Sequence, residues 1–232
     1  MRVNFRVLPL AALGLLVQAS ASQAQSARSA SAAVAKVRDD RFKWFFGAEG
    51  GALLFETQSQ TQSGVPAAGA HLAVISRRAG MMIGVDEAFG SNEPTAFVDP
   101  NTGNQVQPVQ FDRIRRYGFN LTGYPVRGAL EPYLGVGFGL LQVLSPELTG
   151  TFTSKEELDL SAQEAHDRAA SGFVSFLAGL QFRVGRVAAF GQYQINSSPA
   201  AGSLLRGPGH LIMGGIRLSL GSAKEEIRGG GY

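Results

Sequence analysis

The sequence has no cysteine, a single tryptophan and only three histidines among its 232 residues. Without cysteine there is no disulfide framework, no thiolate metal site and no cysteine nucleophile. Charge is scarce too, at 17% of the chain against 44% hydrophobic, and glycine fills 30 positions. That balance is too apolar for intrinsic disorder, and glycine without a triplet period excludes collagen. The formal charge of +3 includes Arg2 and Arg6, so removing the first 24 residues takes it to +1. A chain so near neutrality carries no nucleic-acid footprint. Beyond the N-terminus no apolar run reaches the ~20 residues of a spanning helix. The longest candidate, residues 132–146, is shorter and holds Gly135, Gly137 and Gly139. Nothing helical follows those glycines, so they form no dinucleotide fingerprint, and no phosphate-binding loop occurs.

What is present begins with residues 1–24, where Arg2 and Arg6 precede an uncharged apolar run and Ser22 and Ala24 stand before Gln25. This pattern predicts a secretory signal peptide rather than a membrane anchor. Residues 25–41 are Ser- and Ala-rich with no apolar period and predict a flexible lead-in.

The strongest signal is alternation over residues 172–184. One phase holds Val174, Phe176, Ala178, Leu180, Phe182 and Val184, and the other holds Ser175, Leu177, Gln181 and Arg183. Strict period two over this length is a strand with one apolar face, long enough to cross a bilayer at ~9–11 residues. Weaker versions predict strands at 42–57, 69–76, 81–89, 116–123, 131–143, 187–196 and 210–220, making eight. The links alternate in length. Short ones lie at 77–80, 125–130 and 185–186, and long ones at 58–68, 90–109, 144–170 and 197–209. The expected fold is therefore all-β: an eight-stranded antiparallel up-and-down transmembrane barrel with short periplasmic turns and long extracellular loops. The barrel is expected over 42–222, followed by a tail over 223–232.

Trp44 and Phe46 stand at the foot of the first strand in its apolar phase, where an aromatic girdle belongs, while the phasing turns Tyr124 and Tyr133 inward. The segment 154–170 starts acidic and continues Ala-rich, which fits either a short surface helix or an unstructured loop.

The segments 131–141 (EPYLGVGFGLL), 44–55 (WFFGAEGGALLF) and 210–221 (HLIMGGIRLSLG) resemble the small eight-stranded outer-membrane barrel family, which includes the transmembrane domain of OmpA, opacity proteins and OmpW. The resemblance implies residence in the outer membrane, contact with its lipids and insertion by the barrel-assembly machinery. Gly214, Ile216, Leu218 and Leu220 look like that machinery's assembly signal. The chain departs from the family by running on as SAKEEIRGGGY, and no peptidoglycan-binding domain is expected after residue 222.

Eight closed strands leave an interior that side chains fill, so no wide pore is expected. The inward charges are Glu49, Asp86, Arg116, Arg183 and Arg217, and buried charges must be paired. Asp86 is expected to pair with Arg116, and Glu49 with Arg217 provided the first strand closes on the last. These pairs read as a gate-like network or, with more weight, as ordinary neutralisation of lumen charge. Catalysis finds little support. His71 and His210 start their strands and His166 lies in a loop, all expected at the rim or in solvent. The segment from Tyr193 to Ser198 approaches a lipid A deacylase rim motif but puts Gln194 where a proton-shuttling group is needed. No metal-ligand spacing and no cofactor site is expected. The function expected is therefore non-enzymatic: a structural or surface-interaction role with an unknown partner at the extracellular loops. The alternatives are a lipid A-modifying hydrolase, a narrow channel for small or apolar solutes, and a soluble lipocalin-type barrel whose apolar phase would turn inward.

Overall fold

The computed structural model describes residues 42–60 and 63–223. The expected signal peptide, the lead-in and the tail beyond Ala223 lie outside the described residues. Among those described, the elements are β1 (Phe42–Thr57), β2 (Ser63–Ser76), β3 (Ala79–Asp99), β4 (Gln105–Gly123), β5 (Leu130–Leu144), β6 (Glu147–Leu148), α1 (Lys155–Asp167), β7 (Ala170–Val184), β8 (Val187–Asn196) and β9 (Leu205–Ala223). All strands but the two-residue β6 pair antiparallel in chain order, and β1 pairs with β9, so eight strands close into a barrel. Within the wall itself, closure leaves no free edge. Following bonded partners from Met81 through Leu121, Val136, Phe176, Ile195, His210 and Leu54 ends at Gly64 of β2, about ten residues from Val74, which is Met81's own partner on that strand, the stagger of tilted barrel strands.

Alternation decides which side faces out. In β7, Phe176 is 61% exposed and Phe182 51%, while Gln181 is 1% exposed. The same holds around the wall, where Leu134, Phe138, Ile212, Ile216 and Leu220 stand outward. A continuous apolar skin of this extent marks a surface that meets something other than water. It rules out the lipocalin arrangement. Trp44 and Phe46 join the skin, and Tyr124 and Tyr133 are buried inside.

Arg77-Arg78, Gly185-Arg186 and residues 124–129 make short connections at one end, the turn end. Gly185 opens its two-residue turn at φ 59 without steric cost, whereas Arg77 takes φ 46 with a side chain attached. The opposite, loop end differs from expectation in two long links. Residues 90–109, expected as a loop, are mostly a continuation of the β3–β4 ladder from Glu93↔Phe111 to Asp99↔Gln105, past an irregularity after Phe89. Its tip is Asp99-Pro100-Asn101-Thr102-Gly103-Asn104, with Asp99 Oδ1 accepting from Asn101 N at 2.9 Å and Gly103 at φ 71. This Asx turn is a hairpin signal, and beyond the apolar skin the ladder no longer needs an apolar outer face, which is why strict alternation stops before the strands do. Likewise β2 starts at Ser63 and β9 at Leu205. The segment after β5 forms α1. Ser154 caps it by accepting from Glu157 N, and Glu157 Oε2 accepts from Thr153 N at 2.9 Å.

The lumen is layered. Phe45, Ala73, Ile75, Met82, Tyr124 and Leu177 form an apolar layer toward the turn end. Toward the loop end, a larger apolar cluster includes Leu53, Phe97, Phe111, Ile114, Leu141 and Phe173, with Ala165 of α1 packed into it. Polar side chains occupy the space between.

Candidate functional site

The polar band is built where neighbouring strands carry small residues. On β1, Gly47 faces His71 of β2 in register, and a Cβ at Gly47 would lie 2.3 Å from His71 Nε2. That space admits the imidazole, which is 2% exposed. Arg217 Nε donates to His71 Nε2 at 2.9 Å, and His71 Nδ1 lies 2.9 Å from Glu49 Oε1. A guanidinium only donates, so Nε2 accepts and Nδ1 carries the hydrogen that Glu49 receives. Arg217 Nη1 donates to Gln181 Oε1 at 2.8 Å, its guanidinium lies 4.1 Å over the Phe190 ring, and Gln192 Nε2 donates to Glu49 Oε2 at 3.0 Å. The direct Glu49–Arg217 bridge expected from sequence does not occur. β1 does close on β9, but Arg217 is opposite Gly47 and Glu49 opposite Gly215, and His71 occupies the gap between the two side chains.

Asp86 and Arg116 face each other in register on β3 and β4, with Arg116 Nη1 2.7 Å from Asp86 Oδ2 and Nη2 3.3 Å from Asn196 Oδ1. Arg183 lies nearer the turn end. Its Nη2 is 3.0 Å from Glu131 Oε2, and Arg127 Nη1 reaches the same oxygen at 3.1 Å. Among the described residues, the inward charges Glu49, Asp86, Arg116, Arg183 and Arg217 thus each have an opposite charge or a hydrogen-bonding side chain beside them, as a low-dielectric interior requires. Sequence reasoning overlooked Glu131 and His71. Glu131 shares the inward phase of Tyr133, which is readable, whereas His71, expected at a strand start and the rim, lies buried in the lumen because β2 begins eight residues earlier, at Ser63.

The loop end carries the exposed apolar pair Val98 and Val106, partners across the hairpin at 49% and 66% exposure. Beside them is a pocket of about 330 Å³ lined by Gln58, Phe97, Val98, Val106, Arg168 and Arg206. Arg168 is fixed there, donating from Nε to Glu164 Oε1 at 2.7 Å and from Nη1 to the Gly202 carbonyl at 3.2 Å. The remainder of this end is acidic: β6 and α1 bring Glu147, Glu156, Glu157, Asp159, Glu164 and Asp167 together with Lys155 and Arg168.

The deacylase-like segment is split by its own alternation. Gln194 and Asn196 are buried in the lumen, while Ser197 lies at the outer rim, where its Oγ accepts from Val174 N at 3.1 Å. His210, expected at the start of its strand, lies five residues into β9, with Nδ1 2.6 Å from Tyr193 Oη, and His166 lies in the last turn of α1. Among the described residues, no group of three or more His, Asp or Glu could hold a metal ion.

No protein-family model matches the sequence, and no curated protein matches it. Among solved structures, the chain is similar to Neisserial surface protein A (NspA), with a TM-score of 0.53 at 12% identity over 75% of this chain and 96% of that one. The fold is that of the small eight-stranded outer-membrane barrels. The barrel also aligns with Ail, the attachment invasion locus protein of Yersinia pestis, solved in complex with the heparin analogue sucrose octasulfate, at 10% identity and a TM-score of 0.38 over 77% of this chain and 98% of that one.

Proposed function

We propose that the protein is a non-enzymatic outer-membrane barrel that presents its loop end to an extracellular partner. The single observation carrying this reading is the division of labour along the axis. The lumen is filled, with side chains of the apolar cluster and α1 closing the loop end, while the recognition features lie outside it on the Val98–Val106 hairpin and its pocket. Recognition usually resides on connecting segments held by a rigid scaffold. The apolar skin meets outer-membrane lipids, short turns face the periplasm, and insertion is by the barrel-assembly machinery after export. The partner is not a nucleic acid, because the helix side of this end is acidic. Among the described residues, the hydrolase reading finds no constellation at the rim, and the channel reading meets the apolar cluster across the lumen.

Two measurements test the reading. Purified protein in planar bilayers is expected to show no discrete conductance steps, and steady stepwise currents would overturn the filled lumen. Cells displaying the wild-type barrel are expected to adhere to host-type surfaces more than cells displaying Val98→Asp/Val106→Asp at equal surface level. Equal adherence would remove the hairpin as the recognition element.

A further inference from the structure

The turn-end mouth of the lumen is a second cavity, of about 280 Å³, with Phe45 and Ile75 as its apolar floor. Among the described residues, Lys43, Arg77, Arg127 and Arg183 line it together with Glu131. Glu131 is already committed. Arg127 Nη1, Arg183 Nη2 and Gln181 Nε2 all converge on its Oε2, at 3.1, 3.0 and 2.5 Å. One carboxylate oxygen therefore serves two guanidiniums. Arg183 Nε and Nη2 are buried and make no aligned hydrogen bond, Nη2 standing near Oε2 without pointing at it. Buried donors in a folded protein are normally satisfied, so two on one guanidinium leave this cluster with more donors than acceptors. The backbone pins the surroundings: Arg127 Nε donates to the Arg77 carbonyl at 2.5 Å, its guanidinium sits 4.5 Å over the Tyr124 ring, and Arg183 lies 5.1 Å over Phe45. The forks are held in place before any ligand arrives.

We propose that this mouth binds a phosphate-class oxyanion. Planar guanidiniums present paired N–H donors that match tetrahedral oxyanions, and a fixed fork loses little freedom on binding. The room suits one such group with a few waters, at roughly 30 Å³ per water. The chemistry fits either the phosphate of a phospholipid headgroup in the leaflet at the turn end or free inorganic phosphate entering the mouth. The apolar layer behind Phe45 and Ile75 ends the site, so the ligand enters and leaves from the same side.

The test is titration of the folded full chain in detergent micelles with inorganic phosphate, followed by calorimetry, with heat-modifiable gel migration as the control for folding. Saturable binding is expected, weakened about tenfold in Arg183→Gln and by a smaller factor in Lys43→Gln. Lys43→Gln leaves the Arg127–Glu131–Arg183 cluster whole and so keeps the test valid if Arg183→Gln does not fold. Absence of saturable binding, binding unchanged in the folded variants, or equal displacement by chloride at matched ionic strength would overturn the site. The source is read in nanodiscs containing phosphatidylglycerol. Loss of inorganic phosphate binding there assigns the mouth to a lipid headgroup, and its retention assigns it to the free ion.

Discussion

His71 and Arg217 sit on strands two apart around the barrel wall and meet in the lumen at 2.9 Å, ring nitrogen to guanidinium, with Glu49 bonded to the far side of the ring. The imidazole acts as a spacer that lets a carboxylate and a guanidinium neutralise one another without touching. Removing any member strands the others in a region without bulk water.

Arg217→Met should therefore be among the most damaging single substitutions, since breaking a buried charged cluster typically costs about 3–5 kcal/mol. Glu49→Gln, which keeps an acceptor for His71 Nδ1, is expected to cost less, about 1–3 kcal/mol. Urea unfolding from lipid vesicles measures both, and equal midpoints for Arg217→Met and wild type would contradict the role given to this cluster.

Glycine positions separate steric need from tolerance. A Cβ at Gly47 would collide with His71, and one at Gly179 would lie 2.3 Å from Tyr133 Cζ, whereas Gly191 has nothing within 4 Å. Alanine at 47 or 179 should cost about 1–3 kcal/mol, and Gly191→Ala should be nearly silent. The same unfolding assay ranks the three, and a large loss at Gly191 would show the ranking to be wrong.

Phe176 stands in the middle of the exposed apolar skin. Phe176→Arg is expected to destabilise the barrel in bilayers by about 2–4 kcal/mol, the cost of a cation at mid-membrane depth. The readout is the fraction of heat-modifiable protein after refolding into vesicles. Full folding of this variant would argue that the skin does not face lipid.

Ser154→Ala removes the cap of α1 and should weaken the helix by about 1 kcal/mol. Faster proteolytic cleavage within residues 155–167, at unchanged barrel stability, is the expected signature. Unaltered cleavage would mean that packing of Ser161 and Ala165, both buried, holds the helix without its cap.

The wall was legible because a barrel strand repeats every two residues and its two faces meet solvents of opposite character. Val174, Phe176, Leu180 and Phe182 could be assigned outward, and Gln181 and Arg183 inward, from spacing alone. Above the apolar skin that contrast ends. The ladder from Glu93 to Gln110 carries polar residues on both faces, so it reads as a loop, and only its turn chemistry, Asp99 to Asn104, holds a hairpin signal. Asp86 and Arg116 could be matched because adjacent strands in register bring inward residues of similar height together.

By itself, the sequence determined which side of each strand faces out, the number of barrel strands and the requirement that lumen charges be neutralised, because all three follow from local alternation and from the cost of burying charge. Only the tertiary structure decided who neutralises whom. The stagger of the closed sheet brings His71 between Glu49 and Arg217, and sets Arg127 and Arg183 on one carboxylate, that of Glu131. Side chains that meet across a lumen are set by strand tilt and register summed around the whole circuit, a quantity that no single stretch of chain contains.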